Sequence, residues 1–204
     1  MTGTRRARNG RAMVAAATLA LVLVACSNGG EPGSASPSPT ASPSPTATTP
    51  PPSPTPSPPA GFQCNASVGG GTGSSGSNPA GPTVTAVRAG GHTGFDRFVL
   101  EFDGPINSYE VETQDTATFT LDPKGTDVTL EGTGGVLITI RHQNWTAYAG
   151  PSGLKPQLTF LKQARMVQNF EGTMQWGLGI QGSACIQVST LKSPVRLVVD
   201  VAGV

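Results

Sequence analysis

Two stretches of this chain are written in the same code. Arg97-Phe98-Val99-Leu100-Glu101-Phe102-Asp103-Gly104 and Arg196-Leu197-Val198-Val199-Asp200-Val201-Ala202-Gly203 both read Arg, apolar, Val, apolar, acid, apolar, any residue, Gly. In the first, Phe98, Leu100 and Phe102 alternate with Arg97, Val99, Glu101 and Asp103. Successive side chains of a strand point to opposite faces, so each copy has a core face and a wet face. An antiparallel register with Val99 opposite Val198 would set Arg97 against Asp200 and Glu101 against Arg196, two oppositely charged cross-strand pairs. The alternative is that Arg-x-Val-x-acid is only a common way to write a half-exposed strand, with no contact between the copies.

The sequence between and around these copies is patterned for strands. Val84–Val87 is short and β-branched. In Ser108–Gln114, Tyr109, Val111 and Thr113 alternate with Glu110 and Glu112. Thr116–Leu121 alternates around Phe119, and Asp122-Pro123-Lys124-Gly125 marks a turn before Val128–Leu130. Val136, Ile138 and Ile140 share a face, as do Met174, Trp176, Leu178 and Ile180. Trp176, on an apolar face, reads as core. Cys185–Ser189 is a further strand. Gln157–Asn169 is ambiguous between a helix and one or two strands. Short strands broken by Gly and Pro predict an all-β fold: an antiparallel β-sandwich of about eight to ten strands over residues 83–204.

The N-terminal part is of another kind. Residues 1–25 read as an export signal, with Arg5, Arg6, Arg8 and Arg11 before an apolar run from Ala12 to Ala25, too short for a membrane span. Leu23-Val24-Ala25-Cys26 resembles a bacterial lipobox, which implies cleavage before Cys26 and lipidation of that residue. Residues 26–60 are rich in Pro, Ser and Thr, and residues 61–82 in Gly and Ser. Both have too little apolar surface to offset the entropy of ordering and read as linkers. Proline fixes φ and removes the amide donor, so the first favours extended polyproline II. About 30 such residues reach on the order of 90 Å at ~3.1 Å each, a stalk between a membrane and the domain.

Charge and chemistry narrow the function. Four of the thirteen Lys and Arg lie in the export signal, so the rest carries nine against twelve Asp and Glu, a net −3. A mildly acidic domain without basic clusters argues against nucleic acid. Of the three cysteines, Cys26 goes to lipid. Cys64 and Cys185 are left as an even pair in an exported chain and predict a disulfide; two free thiols is the alternative. Two isolated histidines do not make a zinc site, and the Gly-x-Ser-x-Gly of a serine hydrolase is absent, so neither metal nor cofactor is expected. His92, in a Gly-flanked turn, and Arg97 are candidate ligand contacts; His92 as a turn cap is the structural alternative. His142, Asn144, Trp145 and Tyr148 sit in one loop, where aromatic faces and amides suit sugars. The competing reading is a loop pinned by one buried aromatic.

The leader, the stalk and the segments GFDRFVLEFDGP, NFEGTMQWGLGI and SPVRLVVDVAGV together resemble the AMIN-like domain of actinobacterial cell-envelope lipoproteins. The resemblance covers residues 83–204. It rests on the two Arg strands, the Gly91-His92-x-Gly94-Phe95-Asp96-Arg97 lead-in and the Phe170-Glu171-Gly172 turn. It implies a β-sandwich with internal two-fold character that helps localise proteins at peptidoglycan. The chain is therefore expected on the outer face of the cell membrane, anchored through Cys26, as a non-enzymatic module binding peptidoglycan or another wall glycan. Two other readings compete: a protein-docking module for envelope partners using an exposed sheet edge, and a wall hydrolase with a carboxylate pair.

Overall fold

The computed structural model describes residues 57–72 and 81–204. The export signal, Cys26 and the stalk up to residue 56 lie outside the described residues. Thirteen strands and no helix make up the described part: β1 (Gln63–Cys64), β2 (Ser67–Gly70), β3 (Val84–His92), β4 (Phe95–Phe102), β5 (Ser108–Gln114), β6 (Thr118–Leu121), β7 (Thr126–Thr129), β8 (Gly134–Arg141), β9 (Gly153–Leu154), β10 (Leu161–Phe170), β11 (Thr173–Ile180), β12 (Ala184–Lys192) and β13 (Val195–Gly203). All pairs are antiparallel. One sheet runs β1-β12-β13-β4-β3, the other β2-β5-β8-β11-β10-β9, and β6 and β7 form a separate hairpin.

The two sheets pack face to face, as the alternation predicts. Phe98, Leu100, Leu197, Val199 and Val201 come from one; Ile138, Ile140, Met174, Trp176 and Leu178 come from the other, all fully buried. The rings of Phe98 and Trp176 meet at 5.6 Å across the interface. A smaller cluster lies on the opposite face of the six-stranded sheet, where Phe119 and Leu130 cover Leu137 and Val167. The Phe119 ring lies over Gly177, where an added Cβ would sit 2.7 Å from the ring. Glycine at this position of β11 is what lets the hairpin close down on the sheet.

The two matching strands pair directly. Arg196 lies opposite Glu101, Val198 opposite Val99, and Asp200 opposite Arg97. The disulfide between Cys64 and Cys185 is formed, at a position where β1 and β12 are already ladder partners. The ambiguous stretch after Gln157 is strand β10, its Leu161, Ala164 and Val167 buried with bulges between. The sheets also reach further toward the N-terminus than the residue 83 boundary taken from composition. Ser67–Gly70 adds to the edge at β5, and Gln63–Cys64 adds to β12. Backbone pairing and the disulfide supply what these polar residues lack in apolar surface.

Candidate functional site

The outer face of the five-stranded sheet is a ladder of charge. Arg97 donates from Nε and Nη2 to the two carboxylate oxygens of Asp200 at 2.7 and 2.9 Å. Asp200 raises the guanidinium further above its ordinary value, chiefly through this hydrogen bond. One row further on, Glu101 Oε2 accepts from Arg88 at 2.9 Å and from Arg196 at 3.0 Å. The Glu101 carboxyl is thereby held below its ordinary value, first by Arg88 and then by Arg196. The stability this gives is present above the unfolded carboxylate pKa, near 4.3, and is lost as the pH falls through the lower folded value. Glu101→Gln is expected to flatten the acid limb of the stability–pH curve, measured by urea titration between about pH 2 and 5. An unchanged limb would show that these exposed pairs contribute nothing.

At the end of the same face, His92 stacks flat on Phe95, with ring centroids 4.8 Å apart and planes 7° from parallel. Phe62 meets Phe95 at 5.8 Å, and the Arg97 guanidinium lies 5.6 Å from the Phe95 centroid. His92 and Arg97 thus share one aromatic neighbour.

Behind this cluster sits a residue that sequence reading missed. Asp96 is fully buried. Its Oδ2 accepts the backbone N–H groups of Phe160 at 2.6 Å and Leu161 at 2.8 Å. It ties the segment before β10 to the β3–β4 hairpin. The signal was parity: Asp96 falls on the same face as Phe98, Leu100 and Phe102, an acid on a core face.

His142, Asn144, Trp145 and Tyr148 lie on the loop between β8 and β9. His142 has a φ of +58°, which turns the chain so that Gln143, not its named neighbours, goes inside at 3% exposure. Gln143 Nε2 donates to Asn169 Oδ1 at 3.2 Å, and Asn169 Nδ2 donates to the Trp145 carbonyl at 3.0 Å. The His142 carbonyl accepts from Asn107 at 2.9 Å. Thr146 donates to the Asn144 side chain at 2.9 Å. The Tyr148 hydroxyl donates to the Pro151 carbonyl at 2.6 Å, and burial pushes this phenol up from its ordinary value. The loop is braced by amides and leaves one large ring outward. Trp145 is 37% exposed and meets Phe170, 40% exposed, edge-on at 5.7 Å. Phe170 is the last residue of β10, so this half of the aromatic surface was hidden from a reading of the loop alone.

The two groups of candidate residues lie apart. Trp145 packs on the last residue of β10, whereas Asp96, beside the His92 end, holds its first. Ten residues of strand span about 30 Å. Among the described residues, no three His, Cys, Asp or Glu side chains gather in a way that would hold a metal ion.

The arrangement defines a class: an antiparallel β-sandwich with a pinned surface loop and a charge-laddered outer face. The chain belongs to the AMIN-like domain family, whose model matches residues 82–203. Comparison with curated proteins finds none that matches.

Proposed function

We propose that the chain is a lipid-anchored cell-envelope protein whose AMIN-like domain is a non-catalytic module that binds or localises at peptidoglycan or a related wall glycan. Family membership supports the location. The observation that carries the binding site is the exposed Trp145–Phe170 pair on an amide-braced loop. Aromatic faces stack on the apolar faces of sugar rings, and a pre-ordered loop loses little entropy on binding. Cys26 is the proposed anchor, tested by incorporation of a labelled fatty acid that Cys26→Ala should abolish.

The binding test is a pull-down of residues 57–204 on purified peptidoglycan sacculi. Saturable binding is expected, with Trp145→Ala and Phe170→Ala each weakening it up to about tenfold, the equivalent of ~1.4 kcal/mol of lost stacking. Binding that ignores both substitutions would move the site to the His92–Phe95–Arg97 cluster. No binding by folded, oxidised protein would remove the wall-glycan reading.

A further inference from the structure

Among the described residues, the outer edge of β12 is the least protected edge of the five-stranded sheet. β1 covers it only at Cys185 and Ile186. The chain leading into β1 does not continue along β12. Gly61, at a φ of +89°, and a hydrogen bond from the Phe62 N–H to the Pro59 carbonyl turn it aside. Pro59 comes to lie against Gly94, at the β3–β4 turn. Pro58 and Pro59 have no N–H to extend a ladder in any case. From Val188 to Lys192, no strand among the described residues pairs with this edge.

Exposed edges are normally blunted by bulges, prolines or charge. β3, the opposite edge of the sheet, has a bulge between Val84 and Ala86 and carries Arg88. β12 pairs with β13 through nine unbroken positions and has no charge, glycine or proline before Lys192. It is unbulged, and uncharged up to Lys192. Beside it, between the two sheets, opens a cleft of about 430 Å³ lined by Ile106, Tyr109, Thr190, Leu191, Lys192 and Val195. Leu191 is 46% exposed.

We propose that this edge takes up an extended segment of a partner protein as an added strand, in the lane that β1 opens. Main-chain hydrogen bonds to Val188–Lys192 would hold it. Alternate side chains of a strand face one way, so one bulky apolar side chain would drop into the cleft over Ile106 and Tyr109. Lys192, which has no ion-pair partner among the described residues, would meet an acidic group at the end of the segment. This is strand addition with a specificity pocket, and it is independent of the glycan surface at Trp145.

The test uses the full-length chain in detergent and a capped synthetic peptide, Glu-Thr-Leu-Thr-Val-Thr, whose N-terminal Glu falls beside Lys192 in the antiparallel sense of β1, followed by amide hydrogen exchange. The peptide is expected to slow exchange of the Val188–Lys192 amides at least tenfold. Leu191→Asp, at an exposed position, should weaken that protection about tenfold, while Trp145→Ala should leave it unchanged. A backbone N-methylated version of the peptide should fail, which keeps the test decisive if the Leu191 variant does not fold. No protection at millimolar peptide, or protection confined to β3 or to the Trp145 loop, would overturn the proposal. So would protection without peptide that rises with protein concentration together with a doubled mass, since a second copy would then own the edge.

Discussion

Urea unfolding of Asp96→Ala is expected to show a loss of about 3–5 kcal/mol. The reason is an asymmetry in hydrogen bonding. Asp96 is fully buried and accepts from two backbone amides at once. Hydrogen bonds to a charged acceptor contribute roughly 1.5–3 kcal/mol each, and a donor left buried without a partner costs about 1–3 kcal/mol. Alanine removes the acceptor and leaves the Leu161 N–H buried, and the Phe160 N–H half-buried, without it. The damage should be local first: the Phe160 and Leu161 amides should exchange faster than their neighbours on β10. Asp96→Asn keeps the shape and one acceptor oxygen, and should lose roughly half as much. A variant at wild-type stability would mean that the segment before β10 is held by packing on Gly91 and Gly203 rather than by the carboxylate.

This residue also shows where sequence reading stops. Alternation made β4, β8, β11 and β13 legible because each carries an unbroken apolar row on one face, although only β4 leaves the other face half-exposed along its whole length. Matching charges made the β4–β13 register legible, since only one offset sets both Arg against acid. The same alternation carried the Asp96 message, an acid in phase with Phe98 and Leu100. Its partners are main-chain groups more than sixty residues away, which no side-chain code announces. Gly177 is similar. It occupies the outward phase of β11, between the inward Trp176 and Leu178, and an empty outward position says that something lies close above it. The sequence does not say that this is Phe119. Ser67–Gly70 has no alternation to read and is a strand only because β5 offers an edge. Among the candidate site residues, Trp145 and Tyr148 could be grouped because they share a loop. Phe170 could not, because it reaches the loop from the end of β10. His92 and Arg97 share a hairpin, and Phe95 between them is what joins them.

The second large effect is expected from the disulfide. Replacing Cys64 and Cys185 together by alanine should lower stability by up to about 5 kcal/mol in the chain-entropy account, because the bond spans 121 residues and closes most of the folded domain into one loop. For a domain of this size that corresponds to a fall in Tm on the order of 15 °C. The structure adds a local signature that the entropy argument lacks. β1 has only two ladder positions on β12, and Cys64 is one of them. Without the bond, so short a strand has little to hold it, and the Phe62 ring should leave Phe95. Nuclear magnetic resonance of the oxidised and Cys-free proteins should therefore show shifts concentrated at Phe62, His92 and Phe95, with the Trp145 loop unmoved. The same change would lengthen the open edge of β12 to include Cys185 and Ile186, so the peptide that tests that edge should bind at least as well to the Cys-free protein. Stability equal to wild type would show that the unfolded chain already keeps these ends together. Shifts spread evenly over both sheets would show that the bond holds the whole sandwich rather than its N-terminal strap.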